Sequence, residues 1–300
     1  MDFFDILIRV SFLVSIALFG FFIGRVKNLD SKDLSSLLIY FISPVVIFIS
    51  VLNAPIGKNY FYFLIGALTI CTAISLVALL LGRLIWRDGT AYLFAFSGGT
   101  GNTGYFGLPI AIALFGADGA AIAVFIIIGV NLYEFTVGYF LASRGRSTIK
   151  ESLIKVVKIP AFYVFIFALI LRWLDIKLNQ SLLSSMSGFK GAYSILGMLI
   201  IGITLSKIKS IVIDIKYISL SLIWKFIVWP AVGFIIVYTH SFDFTYIEKS
   251  VVLLMCSVPM AGNVVIISND LGVHPEKAAT AVMVSTLLAV LSVPIALAFI

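Results

Sequence analysis

Residues Ser97–Ile110 read SGGTGNTGYFGLPI and interrupt a run that is otherwise apolar on both sides. The stretch contains five glycines and one proline. In a helix interior Gly costs about 1 kcal/mol and Pro about 3 kcal/mol relative to Ala, so a regular helix is not expected here. Inside a bilayer, the backbone groups freed by such a break must bind protein, water or ligand. The stretch therefore predicts a cavity or a binding site.

The composition around this stretch indicates a membrane protein. The chain has 300 residues, of which 61% are hydrophobic and 12% charged, whereas soluble domains are about half apolar and a quarter charged. One spanning helix needs about 20 residues and helix connections commonly take about 2 to 8. We therefore predict an all-α polytopic protein in the lipid bilayer, with ten transmembrane helices and no soluble domain.

Polar, Gly and Pro residues separate the apolar runs into ten segments, which are numbered in chain order. They are Ile6–Gly24, Ser35–Leu52, Phe61–Ile85, Ala91–Phe115, Gly119–Ala142, Val156–Leu174, Ala192–Leu205, Ile215–Tyr238, Ser250–Asn269 and Ala278–Ile300. The start of segment 7 is ambiguous, because several serines and a lysine precede it.

Charge between the segments predicts the orientation. Of the 21 Lys and Arg residues, fourteen fall in one set of alternate connections and six in the other, while Lys225 lies inside segment 8. Positive residues are retained on the cytoplasmic side, so both termini are expected on the non-cytoplasmic side of the cell inner membrane. The net charge of +7 is spread over short clusters, which does not favour a nucleic-acid partner.

The most basic connection, Arg144–Lys158, divides the chain into residues 1–150 and 151–300, with five segments in each part. An odd number of spans gives the two parts opposite orientations, as in transporters built from inverted repeats. Any ten helices have a midpoint, so matched irregularities in the two parts carry more weight than the division itself.

Segment 9 contains the matching irregularity. Residues Ser257–Asp270 read SVPMAGNVVIISND, with Pro259, Gly262 and Asn263 in mid-segment. Interruptions at corresponding positions of two repeats indicate a transporter binding site. The correspondence is positional only, because Asn precedes Pro in segment 4 and follows it in segment 9. The alternative is that Gly and Pro are simply more common in membrane helices.

Each break would create a half-helix whose N-terminus carries free N–H groups and a positive partial charge, which favours an anion. An Asn amide in each break could donate to a carboxylate; in the alternative, compatible with the first, the amides cap the broken backbone. The candidate substrate-binding residues are Asn102, Gly104, Tyr105, Pro109, Pro259, Gly262 and Asn263.

Two ionisable residues lie within the predicted membrane region. Glu134 in segment 5 and Lys225 in segment 8 are each about 12 to 14 Å from the cytoplasmic ends of their segments, at 1.5 Å per residue. Such residues are functional candidates, and the likeliest partner of each is an opposite charge at equal depth. We expect the two to pair and Glu134 to take up a proton during transport, with Asn131 one turn away sharing the site. The alternatives are a static ion pair and a Lys225 that extends to the surface.

The motifs together resemble those of the bacterial branch of the auxin efflux carrier family. They are GNTGYFGLPIAIALFG at 101–116, KFIVWP at 225–230, SVPMAGNVVIISNDLG at 257–272 and VMVSTLLAVLSVPIAL at 282–297. The resemblance implies two inverted five-helix repeats, similar to the sodium/bile acid symporter fold, with broken crossover helices 4 and 9. It also implies a scaffold of helices 1, 2, 6 and 7, a moving subdomain of helices 3–5 and 8–10, and elevator-type transport of a small organic anion such as a carboxylate, an auxin-like weak acid or an amino acid.

The remaining expectations concern coupling, partners and other classes of protein. Members of the family that the chain resembles can carry an acidic residue in the third span, whereas segment 3 carries only Arg83. This departure favours proton coupling or uniport over sodium symport. No cofactor or metal is expected, since His240 and His274 are far apart and have no Cys nearby. An enzyme is not expected, because no cluster of nucleophile, base or metal ligands is found. A membrane sensor that does not transport is the alternative from another functional class of protein. A homodimer through the scaffold is implied by analogy with the family that the chain resembles.

Overall fold

The computed structural model describes residues 3–29, 31–53, 59–143, 160–176, 178–207, 213–239 and 243–298. In these ranges the regular structure is helical throughout. Seven of the described helices are long and apolar enough to cross a membrane. The chain is therefore a multi-pass membrane protein, as its composition predicts.

The helices follow the predicted segments. Their bounds are Phe3–Lys27 (segment 1), Ser31–Leu37 with Ser43–Asn53 (2), Asn59–Ile85 (3), Thr90–Gly98 (4a), Leu108–Tyr133 with Tyr139–Ala142 (end of 4 and all of 5), Pro160–Trp173 (6), Gln180–Met186 with Gly188–Ser206 (7), Ile215–Ile223 with Trp229–Tyr238 (8), Tyr246–Ser257 (9a), Asn263–Leu271 (9b) and Pro275–Leu297 (10). The basic connection 144–158, His240 and the last two residues of segment 10 lie outside the described residues.

Segments 4 and 5 form one apolar stretch, Thr90–Ala142, of 53 residues. A single α-helix of that length would measure about 80 Å, far more than the roughly 30 Å of bilayer hydrocarbon. The helix from Leu108 is interrupted at Gly116, where φ is 60° and ψ is −138°. Such a backbone conformation is available to Gly and strained for other residues, so Gly116 separates segment 4 from segment 5.

Four π-helical turns interrupt the α-helices, at Leu38–Ile42, Thr103–Gly107, Glu134–Gly138 and Trp224–Val228. Turns of this kind occur often at functional sites. Both buried charged residues of the predicted site lie in them, Glu134 at the start of one and Lys225 within another. The hydropathy pattern carries no signal for these turns.

Segments 1 and 7 pack backbone against backbone through small residues. A Cβ at Gly202 would collide with the carbonyl of Ala17, and a Cβ at Gly20 would meet the carbonyl of Leu199. Close approach through glycine is a common way for membrane helices to associate. Segment 6 is attached to segment 2, because the Arg172 guanidinium donates to the carbonyls of Val51 and Leu52 at 2.6 and 2.9 Å.

The described start of segment 7 differs from the predicted one. Its main helix begins at Gly188 and a short helix begins at Gln180, both before the predicted Ala192. The serines there do not stop the helices, because their hydroxyls donate back to carbonyls three or four residues earlier, as Ser185 does to Ser181 at 2.9 Å. The prediction from side-chain polarity therefore placed the start of segment 7 too late in the sequence.

Candidate functional site

The two interrupted segments contact each other where their helices stop. Helix 4a ends at Gly98 and residues 99–102 are not helical; helix 9a ends at Ser257 and residues 258–262 are not helical. The N–H of Asn102 donates to the carbonyl of Pro259 at 2.8 Å. The N–H of Met260 donates to the Ser285 hydroxyl of segment 10 at 3.1 Å. One freed N–H in each break thus has a partner, that of Asn102 in the other break and that of Met260 in a neighbouring helix.

Segment 8 supplies donors to the carbonyl end of helix 4a. The carbonyl of Gly98 accepts from the Trp229 indole at 2.7 Å and from the Trp224 indole at 3.2 Å. The carbonyl of Thr100 accepts from the Lys225 ammonium at 3.1 Å. A cation is favourable at a helix C-terminus, where the free carbonyls carry negative partial charge. Lys225 therefore has a position fixed by helix 4a and is 2% exposed.

Glu134 lies on the opposite side of the first break and is also 2% exposed. Its carboxylate accepts a hydrogen bond from the Thr100 hydroxyl and another from the Asn263 amide nitrogen, the second at 2.7 Å. A buried carboxylate is tolerated only with such partners. Glu134 thereby joins segment 5 to both breaks.

The expected direct pair of Glu134 with Lys225 is replaced by a bridge through Thr100. The Thr100 hydroxyl donates to Glu134, and its carbonyl accepts from Lys225. The ion pairs within the described ranges, such as Lys277 with Asp214, do not include a contact between these two groups. The Lys225 ammonium lies 4.6 Å from the ring centre of Trp229, so the carbonyl and the aromatic face take the place of the carboxylate.

A cavity of about 170 Å³ adjoins the contact of the two breaks. Segments 4, 5 and 9 form one side of it, and segments 2 and 7 form the other. Its lining residues are Ile39, Ser43, Ile47, Gly101, Asn102, Thr103, Gly104, Tyr105, Ile127, Asn131, Glu134, Phe135, Tyr193, Ala261, Gly262 and Asn263. Seven of the ten residues singled out from the sequence are among them; Pro109, Pro259 and Lys225 are not.

The three remaining residues have structural roles around the cavity. Pro109 is buried in the first turn of the helix that begins at Leu108, where its missing N–H leaves no hydrogen bond unmade. Pro259 contributes the carbonyl that accepts from Asn102. Lys225 lies behind Gly101, where a Cβ would collide with its Nζ.

The two asparagines differ in their hydrogen bonds. Asn263 donates to Glu134, whereas the Asn102 side chain does not cap the helix that follows it and has no side-chain hydrogen bond with any other described residue. Asn102 is 5% exposed and lines the cavity. An amide that faces a cavity without a protein partner can donate and accept toward a ligand.

Sequence reasoning missed Thr100, Thr103 and Tyr193. The two threonines flank Asn102 within the quoted motif, and a search for hydroxyl groups beside the amide would have found them. Tyr193 lies in the helix of segment 7, inside the predicted segment. The proximity of Tyr193 to segment 4 depends on tertiary packing, so no local sequence pattern predicts this contact.

Comparisons with known proteins identify the family of the chain. The sequence profile of a family described as "Membrane transport protein" matches residues 5–297. The chain belongs to this family. The match confirms the family resemblance drawn from the motifs, and it identifies the protein as a transporter and not an enzyme.

Two relatives are also named as transporters. The chain is 28% identical over 266 residues to "Uncharacterized transporter MJ1031" of Methanocaldococcus jannaschii, covering 86% of this chain and 85% of that protein. It is 24% identical over 275 residues to "Putative malonate transporter" of Rhizobium meliloti, covering 87% of this chain and 84% of that protein.

Proposed function

We propose that this transporter carries a small organic anion across the cell inner membrane, with the substrate bound in the cavity beside the contact of segments 4 and 9. The free amide of Asn102, facing that cavity opposite Asn263 and Glu134, is the observation that carries the proposal. The three amides of Asn102, Asn131 and Asn263 and several hydroxyl groups in a mostly apolar cavity suit the carboxylate of a small ligand. The relative named for malonate supports this class of substrate.

Charge in the cavity favours proton coupling. Glu134 is the carboxyl group in its described lining, and Lys225 is absent from that lining. A substrate carboxylate next to an ionised Glu134 would be repelled strongly in such a low-dielectric place. We infer that Glu134 binds a proton when the anion binds, while Lys225 keeps its charge behind Thr100.

This arrangement conserves the charge of the moving part of the protein. With the cavity empty, an ionised Glu134 and a charged Lys225 balance each other. With a monoanion bound and Glu134 protonated, the anion and Lys225 balance instead. A monocarboxylate carried with one proton would move without net charge, and a dicarboxylate carried with one proton would move one negative charge.

For the movement itself we propose ten spans in two inverted repeats, residues 1–150 and 151–300, with both termini on the non-cytoplasmic side. Segments 3–5 and 8–10 form the moving subdomain, and segments 1, 2, 6 and 7 form the scaffold. The close glycine packing of segment 1 on segment 7 and the attachment of segment 6 to segment 2 support a rigid scaffold. A homodimer through the scaffold is part of the same proposal.

Uptake into proteoliposomes tests the function. Labelled malonate, other dicarboxylates, monocarboxylates, an auxin-like acid and amino acids are supplied under separately imposed proton, sodium and voltage gradients. We expect saturable uptake of a carboxylate driven by an inward proton gradient. Asn102→Ala with Asn263→Ala should abolish that uptake, and Glu134→Gln should remove its dependence on the proton gradient.

The same experiment separates the alternatives. Uptake driven by a sodium gradient alone would replace proton coupling by sodium symport. An unchanged proton dependence in Glu134→Gln would remove Glu134 from coupling. Folded protein that transports no acid in the panel would favour a membrane sensor, and binding of the same acids measured by calorimetry would then identify its ligand.

A further inference from the structure

A second cavity, also of about 170 Å³, lies on the other side of the first break, among segments 3, 5, 8 and 9. Its walls are almost entirely apolar, formed by side chains such as Phe63, Ile70, Ile126, Ile236 and Met255. Tyr62, in its lining, is 53% exposed. The proposed transport site does not account for this cavity.

The Lys225 ammonium lies at the inner wall of the apolar cavity. Among the described residues it makes one hydrogen bond, to the carbonyl of Thr100, and contacts the face of Trp229. An ammonium has three N–H donors, and in the described parts of the chain it forms no ion pair within 4 Å. Glu134 is on the far side of Thr100. An intramembrane cation is expected to have an opposite charge as its partner, and the apolar walls beside Lys225 suit an anion with an apolar body.

The length of the cavity indicates the form of that body. It follows segment 3 from Tyr62 to Cys71, nine residues along a helix, which correspond to about 14 Å. An unbranched alkyl chain of similar length, such as that of decanoate, would reach from the exposed end to Lys225. A small dicarboxylate would leave most of the apolar wall uncovered and place a second charge against it.

The two cavities have almost separate linings. Gly101 and Thr103 are the only residues that appear in both. A Cβ at Gly101 would meet Lys225 Nζ on the side of the apolar cavity. A ligand on Lys225 would therefore not touch Asn102, Asn263 or Glu134, which line the other cavity.

We propose that the apolar cavity is a second binding site, for a monocarboxylate with an unbranched apolar chain. Its carboxylate binds the Lys225 ammonium and its chain lies along segments 3 and 8. Charge complementarity supports the assignment, because the carboxylate of the ligand supplies a counter-ion for Lys225. The alkyl chain of the ligand covers the apolar walls of the cavity.

Equilibrium binding of radiolabelled decanoate to the full-length transporter in phosphatidylcholine nanodiscs tests the proposal. We expect saturable binding that decanol and decylamine do not displace. Lys225→Met should weaken it at least tenfold, since the carboxylate loses its counter-ion. Asn102→Ala with Asn263→Ala should leave it unchanged, so that a failure here is distinct from a failure of the proposed transport function.

A second variant and a chemical probe locate the site. A Cβ at Gly66 would meet no atom within 4 Å, and Gly66 lines the cavity, so the longer side chain of Gly66→Leu should extend into the cavity and abolish binding. The two cysteines of the chain, Cys71 and Cys256, both line this cavity. Decanoate should therefore slow their reaction with N-ethylmaleimide severalfold in the wild type and have no effect in Lys225→Met.

Three results would overturn the proposal. Decanoate could fail to bind saturably, it could bind equally well to Lys225→Met, or decanol could displace it as well as decanoate does. The last result would leave an apolar cleft without a carboxylate site. The first and third results use the wild-type chain, and Gly66→Leu tests the cavity independently of Lys225, so misfolding of Lys225→Met alone would not decide the outcome.

Discussion

The two breaks have the same kind of sequence but different surroundings. At the first break the carbonyls of Gly98 and Thr100 accept from Trp224, Trp229 and Lys225 of segment 8. A Cβ at Gly99 would collide with the Tyr133 hydroxyl. At the second break Met260 donates to Ser285, and a Cβ at Gly262 would meet nothing within 4 Å.

The two breaks look alike in sequence, but their packing indicates different roles in the site. The first break is tightly packed and holds Asn102 and Thr100 in fixed positions beside Glu134. The second break has open space around Gly262 and contributes Asn263, which already donates to Glu134. We infer that segment 4 provides the rigid half of the site and that segment 9 provides the half that adjusts to the ligand.

The largest expected effect comes from adding one methyl group to the first break. Gly99→Ala would force the new Cβ onto the Tyr133 hydroxyl and the Ser75 Cβ. Overpacking a buried site usually costs about 1 to 3 kcal/mol and sometimes more, and here neither neighbour can move aside easily, because Tyr133 and Ser75 donate to carbonyls of helix 4a. We expect little folded protein by size-exclusion chromatography and no uptake.

Gly262→Ala is the matched control, with the same chemical change at the second break. Its methyl group has open space, so the thermal unfolding midpoint should stay within about 2 °C of the wild type, which for a protein of this size corresponds to less than about 1 kcal/mol. Equal damage from both substitutions would contradict the contrast between a packed and an open break.

The sequence predicted the position of both breaks because Gly and Pro act locally on the backbone. It also predicted that Asn102, Asn263 and Glu134 are important, since polar groups within apolar runs are rare. It did not predict that Thr100 would separate Glu134 from Lys225. That contact depends on how segments 5 and 8 pack on opposite sides of helix 4a, and the π-helical turns that orient both charges leave no mark in the hydropathy.

The next effect tests the hydrogen bond from the backbone of the second break to a side chain of segment 10. Ser285→Ala removes the hydroxyl that accepts from the Met260 N–H. A buried N–H left without a partner costs about 1 to 3 kcal/mol. We expect a lower thermal unfolding midpoint and weaker substrate binding. Ser285→Thr retains the hydroxyl and should recover most of the stability; an unaltered midpoint in Ser285→Ala would show that this bond does not hold the break.

A smaller effect is expected at the first break from Trp229→Phe. The carbonyl of Gly98 loses its 2.7 Å donor but keeps the Trp224 indole at 3.2 Å, and a phenyl ring still offers Lys225 an aromatic face. A single hydrogen bond contributes about 0.5 to 1.5 kcal/mol, and the remaining donor reduces the loss. The double variant Trp224→Phe with Trp229→Phe should lose more unfolding free energy than the two single variants lose in sum. A double-mutant cycle on unfolding measures this difference. Strict additivity would argue against a carbonyl shared by the two indoles.

The smallest effect concerns the contact that links the starts of helix 4a and segment 10. Lys277 forms an ion pair with Asp214 at 2.8 Å and donates to the Thr90 hydroxyl at 3.1 Å. Burial alone would raise the pKa of Asp214, but the hydrogen bonds from Lys277 and the Tyr217 N–H and the charge of Lys277 lower it below its ordinary value. A carboxyl with a lowered folded-state pKa stabilises the protein above its unfolded pKa, about 3.9, and that stabilisation is lost as pH falls through the folded value.

Lys277→Gln should therefore lower stability by less than about 1 kcal/mol at neutral pH, as expected for a partly exposed pair. The difference from the wild type should shrink as the pH falls below about 4, because the Asp214 carboxyl becomes neutral in both proteins. Thermal unfolding of both proteins from pH 7 to pH 3 measures it, and a difference that stayed constant would mean that Lys277 acts through Thr90 and not through charge. Since Thr90 begins helix 4a and Lys277 lies in the first turn of the segment that carries Ser285, loss of this contact should loosen the packing of these two helix starts against each other.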